Sequence, residues 1–250
     1  TLITARPNGL NGNLTNTDTM ITLSPYANFI YAGAVPQVTG TLLPANIHRL
    51  TVNNNAGVTL SDTVSISDTL FFSAGKLTLA GNVLIAKGVS GSSSTKYVVT
   101  SGIGTLTIPS IGAAEVLLPI GTASAYAPVW IANTGTVDAF SVGVVPDTIA
   151  AKLGGRVKAK WNIVEGVSGG SNCTLKFGWM SVLEDSIFTV NRAANAGIFQ
   201  FGTDTSEGGT GAYTSQFVSE PFTISRRGIK SFGSFAVGKF GVITSVGKID

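Results

Sequence analysis

Short apolar triplets recur at a regular spacing in the first third of the chain. Corresponding triplets of consecutive repeats lie 20, 19 and 19 residues apart. Most have a polar residue between two apolar ones, which is typical of a strand that directs two side chains inward. Three strands in each repeat of about 20 residues predict a three-sided parallel β-solenoid, whose stacked coils share one core, with an antiparallel meander of hairpins as the alternative. The triplets are residues 50–52, 58–60, 64–66, 70–72, 77–79 and 83–85.

Changes in the sequence pattern set the limits of this solenoid. An earlier and looser repeat fits residues 29–31, Val38 and residues 41–43, and the Ser/Gly-rich residues 88–95 separate the repeats from longer strands. We therefore expect the solenoid at residues 29–96. The polar segment 1–28 is predicted to be a cap, an extra coil or a strand donated to a neighbouring subunit.

The strands after residue 97 are longer and alternate strictly between apolar and polar positions. In residues 157–163 the apolar side chains share one face and two lysines lie on the other, and residues 140–144 and 175–179 follow the same rule. This alternation predicts an antiparallel β-sandwich at residues 97–240, followed by a tail at 241–250. We expect one short helix, at residues 148–153, and a sandwich core that contains Trp130, Trp161 and Trp179. The predicted fold class is all-β, a short three-sided parallel β-solenoid followed by the sandwich.

Composition and charge narrow the class of protein. Only 12% of the 250 residues are charged, the formal net charge is +3, and hydrophobic residues make up 44%. This apolar content excludes a disordered chain, and no apolar run approaches the roughly 18 residues of a membrane helix. The basic residues are scattered, with only Arg226 and Arg227 adjacent, whereas nucleic-acid-binding proteins cluster them. We therefore expect neither membrane insertion nor nucleic-acid binding.

The single cysteine and the single histidine restrict the chemistry of the chain. Cys173 alone excludes a disulfide framework and a cysteine-based zinc site. His48 alone excludes a multi-histidine metal site and disfavours a nucleophile–histidine pair. We expect no metal and no cofactor. The alternation of its strand places Cys173 on the same face as Leu175 and Phe177, so its thiol is expected to be buried and inert.

Paired carboxylates would be the signature of a polysaccharide-active β-helix enzyme, because glycosidases use two acids about 5 to 9.5 Å apart. Asp62 and Asp68 are six residues apart, but the repeat places them at comparable corners of consecutive strands and not on one face. Asp204 and Glu207 lie in a glycine-rich segment without the ligand spacing of a calcium loop. This enzymatic interpretation therefore ranks last, and we expect a non-enzymatic protein.

Several short motifs follow one another in a distinctive order along the chain. They are YVVT at 97–100, GTLT at 104–107, LPIGT at 118–122, YAPV at 126–129, WNI at 161–163, GIKSF at 228–232 and FAVG at 235–238. Together with the repeats at 50–87 they resemble secreted surface proteins of Bacteroidetes-type bacteria, over residues 30–240. The resemblance implies an extracellular, cell-surface protein exported by the type IX secretion route. It also implies adhesion, or the building of surface layers or filaments, and it brings no catalytic residues.

A recurrent tripeptide indicates modification. Of the seven aspartates with a following residue, six precede Ser or Thr, and an apolar residue usually comes next. This spacing resembles the O-glycosylation acceptor of Bacteroidetes-type bacteria. The alternative is that Asp-Thr simply begins strands, because Asp favours turns and Thr favours strands. The candidate acceptors are Thr19, Thr63, Thr69, Thr148 and Ser186.

Two non-enzymatic functions remain from the sequence. The first is a structural protein whose binding partner is a further copy of itself. Its copies would assemble head-to-tail through exposed strand edges into a cell-surface filament or layer. The second is an adhesin module that binds a surface glycan through exposed aromatic rings, with Tyr126, Tyr213 and Phe217 as candidates for stacking on sugar.

Overall fold

The fold is a parallel β-solenoid joined to an antiparallel β-sandwich, as the sequence predicts. A computed structural model describes residues 1–14, 22–100, 102–147, 155–201 and 214–238. The solenoid makes about four turns, and its coils have three faces. Two of these faces belong to one bent sheet of eleven strands, and the other is a separate sheet of five short strands.

Face 1 of the solenoid is a stack of five parallel segments. Its core-facing columns include Leu2, Phe29, Leu50 and Leu70, which lie in register on successive coils. The 20-residue spacing predicted from Leu50 to Leu70 is therefore confirmed. The strands are β1 (Leu2–Thr4), β2 (Asn28–Tyr31), β5 (Arg49–Asn53) and the C-terminal parts of β7 (Val64–Ala74) and β9 (Val83–Ser90).

Face 2 consists of five two-residue strands, one on each coil. Val58 pairs with Leu77, which confirms the predicted 19-residue spacing, and Leu77 pairs with Val98. In the first coil the inward residue is Gln37, whereas Val38 is 39% exposed. The parallel pairing continues beyond residue 96 to residue 121. The strands are β3 (Gln37–Val38), β6 (Val58–Thr59), β8 (Leu77–Thr78), β10 (Val98–Val99) and β13 (Ile120–Gly121).

Face 3 corrects two details of the predicted register. Val64 pairs with Leu84 and not with Val83, so Leu84 faces the core. The first strand of this face lies at residues 46–47 and not at 41–43, because residues 40–43 form a turn in which the Leu43 amide donates to the Gly40 carbonyl. The strands are β4 (Asn46–Ile47), the N-terminal parts of β7 and β9, and β11 (Thr105–Ile111).

The N-terminal residues 1–14 close the first coil of their own chain. Strand β1 pairs in parallel with β2, and the Val38 amide donates to the Pro7 carbonyl. A short 3-10 helix at Gly9–Gly12 then places Leu10 in the core, where it is fully buried. Residues 1–14 thus add a partial coil to the solenoid of their own chain.

The eleven-stranded sheet changes from parallel to antiparallel at β11. From there four more strands continue the sheet in the order β15, β16, β21 and β18. In β16 the residues Val157, Ala159, Trp161 and Ile163 are all buried, which confirms the predicted alternation. The bounds are β15 (Asp138–Pro146), β16 (Arg156–Glu165), β18 (Gly197–Phe201) and β21 (Gly233–Gly238).

A second antiparallel sheet packs on this continuation and completes the sandwich. Phe177 of the second sheet lies 5.1 Å from Trp161 and 5.6 Å from Phe235, measured between ring centroids. Trp161 and Trp179 are fully buried, but Trp130 is partly exposed on the outer face, so the prediction of three core tryptophans is wrong for Trp130. The strands are β12 (Val116–Leu118), β14 (Val129–Asn133), β17 (Cys173–Trp179), β19 (Thr214–Gln216) and β20 (Phe222–Ile229).

Helices are few and short. A 3-10 helix at Ser181–Leu183 precedes α1 (Ser186–Val190) and α2 (Arg192–Asn195). Asp185 caps α1 by accepting a hydrogen bond of 2.8 Å from the Phe188 amide. The predicted helix at 148–153 and the tail at 241–250 lie outside the described residues. None of the helices in the described part of the chain has the length and hydropathy needed to cross a membrane.

Candidate binding groove

An open groove of about 500 Å³ lies at the corner between face 1 and face 2 of the solenoid. We call it the corner groove. It is lined by residues 55–57, 73–76 and 95–96 from three successive coils, together with Thr78, Val99 and Ala123. Its volume is within the range of small-ligand sites, which is about 300–1,000 Å³.

Small residues at this corner create the space of the groove. Ala56, Gly57 and Ala74 carry little or no side chain. Gly75 has φ +76°, and a Cβ built on it would lie 1.7 Å from the Asn54 carbonyl oxygen. Only glycine fits such a position, because an L side chain would clash and the backbone conformation is left-handed.

A buried amide network fixes the turn that borders the corner groove. The side-chain nitrogen Nδ2 of Asn54 donates to the Val35 carbonyl at 2.8 Å and to Gln37 Oε1 at 2.9 Å. Its Oδ1 accepts from the Ala56 amide at 2.8 Å. Asn54 and Gln37 are nearly inaccessible to solvent, so these hydrogen bonds tie neighbouring coils together. The shape of the groove is therefore set by the core and not by mobile surface side chains.

Lys76 carries a positive charge that is held in place at the groove. Its ammonium group donates to the Ala123 carbonyl at 3.0 Å and lies 4.6 Å from the centroid of the Tyr97 ring. The ring contact is a cation–π interaction with the next coil. Lys96, which lies two residues before strand β10 on the next coil, is a second basic residue in the lining. None of the described residues that line the groove is Asp or Glu.

Tyr97, whose ring lies beside the Lys76 ammonium, packs against Tyr126. Their ring centroids are 5.3 Å apart, and the Tyr97 hydroxyl donates to the Thr122 carbonyl at 3.0 Å. Tyr126 is only 5% exposed, and burial raises the pKa of its hydroxyl well above the usual value. The expectation that Tyr126 offers an exposed ring for sugar stacking is therefore wrong. The tyrosine packs on Val99 and Met180 instead.

The other two aromatic candidates do not form an exposed platform in the described structure. Phe217 is partly buried, with its ring 6.0 Å from that of Trp179. Tyr213 lies outside the described residues. A partly exposed aromatic ring is instead found at Trp130, where the Lys176 ammonium lies 4.6 Å from the ring centroid and pairs with Glu115 at 2.5 Å. The Lys176 ammonium therefore covers one face of the Trp130 indole.

The candidate glycosylation residues differ in accessibility. Thr63 and Ser186 are exposed, whereas Thr69 is partly buried and donates a hydrogen bond to Asp68 at 3.2 Å. Ser186 begins helix α1, so the preceding Asp185 has a structural role as its cap. Thr19 and Thr148 lie outside the described residues.

The carboxylates of the solenoid have structural partners. Asp68 accepts hydrogen bonds from Arg49 at 2.7 and 3.1 Å, and the guanidinium keeps the pKa of this carboxyl below its usual value. Asp62 accepts from the neighbouring Thr63 amide at 2.7 Å in an exposed turn. No group of three or more potential metal ligands of the His, Cys, Asp and Glu type occurs in the described ranges.

A buried carboxylate lies in the sandwich. Glu184 has no exposed side-chain surface and is paired with Arg192 at 2.6 Å. It also accepts from the Trp179 indole at 2.8 Å and from Thr189 at 3.1 Å. Burial raises the pKa of Glu184, but these hydrogen bonds outweigh it and hold the pKa below its usual value. Arg192 in turn lies 3.8 Å from the centroid of the Phe222 ring, so the network joins the helices to β20.

Cys173 is buried among apolar side chains, as predicted, with Leu175 and Phe177 on the same face of β17. Burial raises the pKa of its thiol to about 12, which keeps it protonated at neutral pH. The thiol therefore has the environment of an inert core residue.

Sequence reasoning did not find the corner groove. Its residues come from three coils and the turn at Ala123, and none of them forms a motif. A signal was present in the repeat, because Gly75 and Lys76 lie immediately before Leu77, at the start of a triplet. Comparison with protein-family profiles, with characterised proteins and with solved structures finds no match to this chain.

Proposed function

We propose that the chain is a non-enzymatic saccharide-binding module of a bacterial cell-surface protein, with the corner groove as its binding site. The observation that carries this proposal is the Lys76 ammonium, held by Ala123 and Tyr97 at the edge of an open polar groove. A fixed donor loses little side-chain entropy when a ligand binds. The resemblance to secreted surface proteins supports an extracellular location.

The polar groups around the groove suit a saccharide. The side chains of Asn55, Ser73, Thr78 and Thr95 offer amide and hydroxyl groups that both donate and accept hydrogen bonds. They come from successive coils, whose strands are spaced about 4.8 Å apart. An extended chain of hydroxyl-bearing units can therefore meet a polar group on each coil.

Binding of oligosaccharides measured by calorimetry tests this function. Ala56 is exposed and lines the groove, so Ala56→Trp is expected to fill the groove and abolish binding without disturbing the core. Ala114 is exposed elsewhere, and Ala114→Trp serves as the matched control with unchanged binding. Equal binding by both variants would place the saccharide outside the corner groove and contradict the proposal.

A second proposed function is self-assembly into a filament or layer. It is supported by the outer edge of β1, which has no paired strand among the described residues. An outward column of Ile3, Ile30, Thr51 and Phe71 runs from this edge along face 1, with Thr51 as its one polar member. Ile3 is 59% and Phe71 40% exposed. Unpaired edges and exposed apolar columns favour contacts between copies.

Electron microscopy and light scattering test self-assembly. Regular fibres or sheets are expected for the unmodified protein, and Ile3→Lys is expected to disperse them, because a charge on an edge strand opposes pairing. Val218 is 95% exposed on the sandwich, so Val218→Lys is the control for added charge. Single particles at all concentrations would contradict this second proposal.

A further inference from the structure

We infer that the ligand of the corner groove is an acidic saccharide, whose carboxylate or sulfate group binds between Lys76 and Lys96. This inference rests on the proposed function and specifies the chemical class of the ligand. It is carried by the charges of the groove, where Lys76 and Lys96 from adjacent coils are both lining residues and none of the described lining residues is Asp or Glu.

Lys76 retains the capacity to bind an anion. A lysine ammonium has three donors, and one of them is used by the Ala123 carbonyl. The Tyr97 ring covers one side of the ammonium group without using a donor. An anionic oxygen at the groove can therefore accept a charge-assisted hydrogen bond from a group that is already in position.

Lys96 lies on the adjacent coil at the same corner. Lys76 precedes β8 by one residue and Lys96 precedes β10 by two, and β8 pairs with β10 through Leu77 and Val98. Extension of this register places Lys96 beside Gly75, the residue without a side chain. Both lysines line the groove together with the small residues Ala56, Gly57 and Ala74, so an anionic group bound there can reach both side chains.

A neutral saccharide would not use these charges. The two ammonium groups would then each donate to hydroxyls, which are weaker acceptors than carboxylate or sulfate. A buried or half-buried charged hydrogen bond contributes about 1.5–3 kcal/mol, or roughly a tenfold to hundredfold change in affinity. The groove should therefore discriminate an acidic from an otherwise identical neutral saccharide by about tenfold or more.

Matched pairs of oligosaccharides test the inference by calorimetry. The acidic probes are oligomers of galacturonate, mannuronate and sulfated galactose, and each is compared with its methyl-esterified or desulfated counterpart. At least one acidic probe is expected to bind about tenfold more tightly than its neutral counterpart, with an affinity that falls as salt rises from about 20 mM to about 500 mM. Lys96→Gln is expected to remove most of this preference.

Lys87→Gln is the control variant, because Lys87 is an exposed lysine of the solenoid outside the groove. It removes the same charge and is expected to leave the affinity within about threefold. Equal binding of acidic and neutral probes, both lost in Ala56→Trp, would overturn the inference and leave the proposed function standing. Binding of no probe would overturn both the inference and the proposed function. Equal losses of affinity for the acidic probe in Lys96→Gln and Lys87→Gln would show that the preference is general charge attraction, and would overturn the inference.

Discussion

Gly75 approaches Asn54 so closely that a Cβ on Gly75 would lie 1.7 Å from the Asn54 carbonyl oxygen. Asn54 is 1% exposed and its side chain ties the coils together, so the carbonyl has little freedom to move away. This contact therefore couples the shape of the corner groove to the stability of the solenoid.

The first prediction concerns this contact. Gly75→Ala is expected to lower the free energy of unfolding by at least about 2 kcal/mol, because the new methyl group clashes and the left-handed conformation becomes strained. Urea unfolding measures the change. Gly88 is the control, since a Cβ there would meet nothing within 4 Å, and Gly88→Ala is expected to change the free energy by less than about 1 kcal/mol. Equal effects of the two substitutions would show that the close approach does not exist.

The second prediction concerns the buried ion pair of the sandwich. Glu184→Gln leaves the Arg192 charge without its partner and is expected to destabilise the protein by about 3 kcal/mol. Glu115→Gln removes the carboxylate from the exposed pair with Lys176, whose Glu115 side chain is 45% exposed, and is expected to cost less than about 1 kcal/mol.

The same pair predicts the direction of the pH dependence. The pKa of Glu184 is below its ordinary value of 4.5 in the folded protein. The stability that this group contributes is therefore fully present above that value and is lost as the pH falls through the lower pKa of the folded state. Glu184→Gln should reduce the acid-induced loss of stability between about pH 5 and pH 3. An unchanged pH profile of unfolding would contradict this assignment.

The third prediction uses the unequal burial of the tryptophans. Trp161 and Trp179 are fully buried and Trp130 is partly exposed, beside the positive charge of Lys176. Iodide is expected to quench the fluorescence of Trp130 in the native protein and to leave that of the two buried tryptophans. Trp130→Phe should therefore remove the quenchable part. The urea-unfolded protein, in which all tryptophans are accessible, gives the reference for complete quenching. Strong quenching that persists in Trp130→Phe would place another tryptophan at the surface.

The sequence predicted two of the three repeat spacings of the solenoid correctly. The spacings from Leu50 to Leu70 and from Val58 to Leu77 agree with the observed register. The third spacing was wrong by one residue. Residues 83–85 are all apolar, as are residues 70–72, and such a run carries no signal of its own for which side chain faces inward. Pairing with Val64 and burial against the core decide in favour of Leu84.

The candidate site was much less predictable than the fold. Aromatic residues are equally suited to a core and to a sugar platform, and only the structure places Tyr126 inside and Trp130 on the outer face. The corner groove depends on small residues that become neighbours when coils stack, and on the turn that carries Ala123. Such a site has no local sequence motif.

The fourth prediction concerns O-glycosylation, which we propose for the exposed hydroxyls that follow aspartate. The intact mass of material from the native source is expected to exceed the polypeptide mass, and Thr63→Val and Ser186→Ala should each lower it by one glycan. Ser94 is also exposed but follows a serine, so Ser94→Ala should remove only the hydroxyl oxygen. A native mass equal to that of the bare polypeptide would remove the proposal.

The account depends most directly on the corner groove as the site of saccharide binding. Nuclear magnetic resonance of isotope-labelled protein, titrated with the acidic oligosaccharides and their neutral counterparts, locates the binding surface residue by residue. We predict the largest shifts at residues 55–57, 73–76 and 95–96 and at Ala123, with smaller or no changes around Trp130. Shifts that cluster on the outer face of the sandwich, or no shifts with any of these saccharides, would contradict the account.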